Sequence, residues 1–233
     1  MERQVFAATG SSYRRAGWAA IASGVIGVVA LGLLITGVTT RSTWVIPRQI
    51  KLLFEGHDVG AVLQYILLIP VALGLQKLSL KSPPGINKAT LAAGIGAICF
   101  IALLLLLGVG KVVNDMFYLF PQGIFGVWLI VINWHLTGLL PRRLRWFGMV
   151  VGLGLVLVGT VFPGLAIFVY PTMLKIPAVP QENFALQDTQ INYVLHRILD
   201  IGSLMGVVTL PFWTILTGFQ LFKAEHPEER ART

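Results

Sequence analysis

Charge is what this sequence has least of. Of its 233 residues only 12% are Asp, Glu, Lys or Arg, against 55% hydrophobic. Soluble globular domains carry about 25% charged residues. Half that share cannot cover a water-facing globule, which excludes an ordinary soluble domain and points to an integral membrane protein. Acidic residues are scarcer than basic ones, 10 against 18, for a formal net charge of +8. That excess does not mark a nucleic-acid binder. The basic residues sit in short clusters between apolar runs, with no basic stripe interleaved with aromatics. The partner expected from that pattern is the lipid bilayer.

Cysteine is nearly absent too. The single Cys99 lies inside ATLAAGIGAICFIALLLLLGVG, which excludes an internal disulfide. There is no nucleophile elbow, no phosphate-cradling glycine loop and no His-Glu-x-x-His pair. Nothing supports an ATPase or a protease, and the sequence assigns no metal and no cofactor. His135, in INWHLTG, has no second histidine at matching depth with which to hold a haem.

What is present is a series of apolar runs. A helix needs about 20 apolar residues to cross the hydrocarbon core. Six stretches are expected to do so: 17–38, 59–75, 89–109, 121–140, 146–170 and 200–222. The expectation is an all-α polytopic membrane helix bundle, one transmembrane domain over residues 1–233. Arg14 and Arg15 precede the first run as in a signal peptide. That run is too long and offers no small-x-small cleavage site, so it is read as a retained helix. Twelve of the lysines and arginines fall on the side of the termini and six on the other, which predicts that both termini are cytoplasmic.

Two outer loops carry patterns of their own. Residues 45–56, VIPRQIKLLFEG, have Pro47 placed to start a helix and Gly56 to stop it, so a short interfacial helix is expected. The 171–199 segment contains three prolines and reads as a solvated loop or as a lid over the bundle. Glycines four apart in GMVVG (148–152) and GSLMG (202–206) predict close helix contacts, chiefly within the bundle.

Residues 125–157, FGVWLIVINWHLTGLLPRRLRWFGMVVGLGLVL, pair an aromatic-rich span with a Gly-rich one through a Pro-Arg turn. This hairpin resembles one found in families of small bacterial integral membrane proteins of about six helices, which have no assigned reaction. The likeness implies a six-helix fold and a bacterial plasma membrane, and carries over no functional residues.

On this topology nine polar residues gather in the outer leaflet: His57, Asp58, Gln64, Asn114, Asp115, Gln122, His196, Arg197 and Asp200. Asn192, His196 and Asp200 recur every four residues and share a face, with Arg197 in reach of Asp200. A carboxylate at that depth is expected to face the bundle interior. An early start to the second helix would set His57 and Gln64, seven apart, in a parallel stripe. The cluster reads as the polar rim of helix entrances, as a pocket for a small polar ligand or ion, or as a divalent-metal site. A lone His-x-x-x-Asp is weak support for the last.

Three function classes follow. The first is a non-enzymatic accessory or interaction subunit, paired with another membrane protein or with its own copies. The second is a small-solute or ion transporter or ligand sensor built on the outer pocket. The third is a membrane-embedded enzyme acting on lipid or quinone, with His196 and Asp200 as acid–base groups.

Overall fold

The computed structural model describes residues 2–40, 47–80, 87–114, 116–168 and 190–225. Those residues are all-helical, with no strand among them. The elements are α1 (Glu2–Thr40), α2 (Pro47–Ser79), α3 (Lys88–Val109), α4 (Leu119–His135) and α5 (Arg142–Phe168). After them come α6 (Gln190–Gly202), a π-helical turn (Ser203–Val207) and α7 (Leu210–Glu225). The last three form one rod, Gln190–Ala224. Five helical rods are long and apolar enough to cross a membrane, and α4, at 17 residues, is shorter.

Local chemistry sets the ends. Pro47 opens α2, where its missing N–H would have had no partner anyway. The Asn87 side chain caps α3 by accepting the Thr90 N–H at 2.7 Å. At the other end of α3, Val112 N–H donates to Leu107 O at 2.9 Å and Lys111 N–H to Gly108 O at 2.8 Å. That pair of bonds turns the chain out of the helix with Lys111 in the left-handed region, φ 54°. The π turn closes with Val208 N–H on Ser203 O at 2.9 Å. It ends just before Pro211, which has no N–H to offer the Val207 carbonyl one turn back.

The helices close into a ring. Each packs on its chain neighbour, and α7 returns to α1. Antiparallel pairing of α1 and α2 is visible at both ends, from Lys77 Nζ on Ser12 Oγ (2.8 Å) to His57 Nδ1 against Ala30 O (3.0 Å). We call the end holding Ser12, Ser79 and Arg142 the lower end, and that holding His57, Tyr118 and Gln190 the upper end.

Glycine permits the closest crossings. A Cβ on Gly126 of α4 would stand 2.5 Å from Gly152 O of α5, and one on Gly202 would stand 2.9 Å from Gly154 O. Both glycine pairs of the sequence are therefore spent on contacts inside the chain, where lipid offers no hydrophobic drive and close van der Waals packing must supply the attraction. Between the glycines lies a core of fully buried large side chains, among them Phe125, Leu129, Ile132, Leu155 and Trp213.

Three expectations need correction. The short interfacial helix over 45–56 does not end at Gly56: α2 runs unbroken from Pro47 to Ser79. Gly56 sits under Leu33 of α1, so packing carries the helix across it. The last rod begins at Gln190, ten residues before the expected 200, so the end of the 171–199 segment is helical; residues 171–189 lie outside the described residues. The fourth helix stops at His135, not 140, because residues 136–140 form the turn into α5.

Candidate functional site

The upper half of the ring encloses a small polar cavity between α1, α2, α3, α4, the π turn and α7. Its polar wall is His57, Gln64, Tyr65, Tyr118 and Gln122. The space measures about 30 Å³. That suits a water-sized species, whereas pockets for organic ligands run to about 300–1,000 Å³.

Each polar group is placed by the helix that carries it. His57 and Gln64, seven residues apart, fall on one face of α2 because that helix starts early. The Gln64 amide lies over Gly27, where a Cβ would come within 2.6 Å of Oε1, and its backbone carbonyl accepts Ser23 Oγ at 2.9 Å. Gln122 donates Nε2–H to the Tyr65 hydroxyl at 2.8 Å, joining α4 to α2. Gln122 is 2% exposed, and its Oε1 has no hydrogen-bond partner among the described residues. His57 Nδ1 faces the Ala30 carbonyl, which calls for a proton on Nδ1 and leaves Nε2 as the acceptor in the neutral ring. Among the described residues no Asp, Glu, Lys or Arg lines the cavity, and its wall offers amide, hydroxyl and imidazole groups.

The other polar residues of the sequence pattern lie elsewhere. Asp58 follows His57 but is not in the cavity wall. Asn114 is buried, and its Oδ1 accepts the Met116 N–H at 2.9 Å, which shapes the turn into α4. Asp115 lies outside the described residues. On α6, Asn192 is buried while His196, Arg197 and Asp200 are exposed. The interior position expected for Asp200 is thus not observed. Nor does Arg197 reach forward to it: Nε donates back to the Tyr193 hydroxyl at 3.0 Å, with the guanidinium 5.0 Å from that ring centroid. Helical side chains lean toward the N-terminus, which favours the partner one turn back.

So the structure gathers His57, Gln64 and Gln122 in one place, and sets His196, Arg197 and Asp200 on another surface. Tyr65 and Tyr118 belong to the cavity and were absent from the sequence pattern. A tyrosine beside Gln64 in an otherwise apolar run was the available signal, because a buried hydroxyl needs a partner. Among the described residues no three His, Cys, Asp or Glu side chains assemble into a metal-binding group.

Compared with family models, with curated proteins and with solved structures, the chain finds no match, and its site rests on its own residues alone.

Proposed function

We propose that this chain is a non-enzymatic accessory or interaction subunit of a bacterial plasma membrane, crossing it six times with both termini in the cytoplasm. The observation that carries the reading is the exposure of His196, Arg197 and Asp200 together on α6, away from a cavity too small for an organic substrate. The 35-residue rod Gln190–Ala224 is roughly 52 Å long, against about 30 Å of hydrocarbon. With Lys223 anchored at the inner interface, about 20 residues of span reach back to the π turn, so α6 stands in the outer headgroup and aqueous layer. Its exposed charged face then meets a partner chain or a second copy. The twofold excess of basic residues on the terminal side supports the orientation.

Crosslinking in intact membranes tests it. In a Cys99→Ser background, a photoactivatable maleimide on His196→Cys should give a discrete protein adduct. The same probe on Leu103→Cys, exposed on α3, should give none. Equal adducts from both sites, or none from α6, would sink the reading.

The unpartnered Gln122 Oε1 favours a second reading, passage or sensing of a small uncharged polar solute through the cavity. Stopped-flow shrinkage of proteoliposomes in formamide separates the two. Permeation that drops in Gln122→Leu selects the solute reading, and rates equal to empty vesicles remove it.

A further inference from the structure

The lower end carries a second recess, open to the surroundings, between the start of α5 and the last turns of α7. It measures about 350 Å³ and is walled by Leu144, Phe147 and Leu216, with Arg143 and Gln220 at its rim. The arrangement is amphipathic along the bundle axis. Arg143 stands at the very start of α5, and Phe147 lies one turn deeper; on α7, Gln220 is near the end and Leu216 one turn deeper. A headgroup-level cation therefore tops an apolar slot of ligand-pocket size.

Charge at the rim is one-sided among the described side chains. Arg142, Arg143 and Lys223 are all exposed at this end of the bundle, and the Lys51–Glu55 ion pair is at the opposite end. The neighbouring arginine behaves differently. Arg145 turns inward and donates Nε–H to Asn133 O at 3.0 Å, closing the end of α4. Arg143 makes no such bond to the described residues, which leaves its five donors for an external acceptor. Basic pockets between membrane helices on the cytoplasmic side are where acidic headgroups bind.

We infer that the α5–α7 recess is a site for one acidic phospholipid, its phosphate on Arg143 and one acyl chain along Leu144, Phe147 and Leu216. Net charge complementarity selects the acidic lipid over a zwitterionic one. The site rests on the membrane reading above and adds a specific lipid to it.

The test is native mass spectrometry of the full chain in detergent, titrated with dioleoyl phosphatidylglycerol or dioleoyl phosphatidylcholine. One phosphatidylglycerol should be retained at least about fivefold more tightly than phosphatidylcholine, the factor a single basic residue supplies near a membrane surface. Arg143→Gln should erase that preference, and Lys111→Gln, at the far end of α3, should keep it. Leu216→Trp, which fills the slot, should lower retention of both lipids. Equal retention of the two lipids by the native chain would overturn the site, as would an undiminished preference in Arg143→Gln. Displacement of phosphatidylglycerol by an equal concentration of inorganic phosphate would assign the rim to a free anion instead. Release of the chain from membranes by alkaline carbonate would overturn the membrane reading and the lipid site with it, a result distinct from lost lipid preference.

Discussion

Gln122 of α4 and Tyr65 of α2 are joined by a 2.8 Å hydrogen bond across the middle of an apolar ring. The glutamine is the donor, the hydroxyl accepts, and the glutamine's Oε1 is left over. Tyr65 in turn sets its ring edge-on to Phe125, with centroids 6.2 Å apart, and Phe125 stacks on Trp128 at 5.6 Å. The polar bond thus adjoins a row of three aromatic rings in the core.

That bond has a measurable strength. Tyr65→Phe removes the acceptor and strands the Gln122 amide. The expected loss is about 0.6–1.7 kcal/mol, between the average and the maximum measured for interhelical side-chain bonds in a membrane protein. The double variant with Gln122→Leu should lose less than the two single losses added together, read from unfolding in mixed micelles. Strict additivity would mean the two residues are not coupled.

The glycine contacts predict opposite outcomes for one chemical change. A Cβ on Gly126 would meet Gly152 O at 2.5 Å and Val156 N at 2.8 Å, both backbone atoms that cannot swing aside. Gly126→Ala should cost about 1–3 kcal/mol by overpacking. On Gly96 a Cβ meets nothing within 4 Å. Gly96→Ala should therefore leave stability unchanged or raise it by up to about 1 kcal/mol, the helix-propensity gain. Thermal unfolding of the two variants side by side decides the matter, and equal shifts would contradict the α4–α5 contact.

Lys111 holds a left-handed backbone that an L side chain rarely adopts, φ 54°. Lys111→Gly should stabilise the chain by about 1–2 kcal/mol by removing that penalty while keeping the bonds of Val112 and Lys111 to α3. A lower melting temperature in this variant would show that the lysine side chain contributes something larger than the strain.

Much of this architecture was legible in the sequence, and the reasons are physical. Long apolar runs and their basic flanks announce helices of membrane length, and the glycine spacing announces where they touch. Helix ends were harder to read. Gly56 looked like a stop, yet Leu33 of the neighbouring helix packs over it, and nothing in the local sequence reports that neighbour. The start of α6 at Gln190 lay hidden because Gln190, Asn192, His196 and Arg197 interrupt its apolar residues, so that a continuous apolar run begins only near Asp200. For the polar cluster, spacing along one helix correctly aligned His57 with Gln64. It could not decide which way α6 is turned about its axis, and that rotation carries His196 and Asp200 outward. Rotation is set by Gly202 and Gly206 seating against α5, a tertiary contact.

Orientation is open to direct labelling. With Cys99 replaced by serine, Lys111→Cys and Arg143→Cys place single thiols at exposed positions on opposite ends of the ring. A membrane-impermeant maleimide applied to intact cells should label Lys111→Cys, and Arg143→Cys only after lysis. The reverse pattern would invert the topology and move the lipid recess to the outer leaflet.

We propose that the exposed face of α6 is covered by another polypeptide. Native mass spectrometry of the protein gently extracted from its own membrane tests this most directly, with Asp200→Lys prepared in parallel. A stoichiometric second chain or second copy that is lost in Asp200→Lys is the predicted result. A single chain in both preparations, carrying at most lipid, would contradict the account.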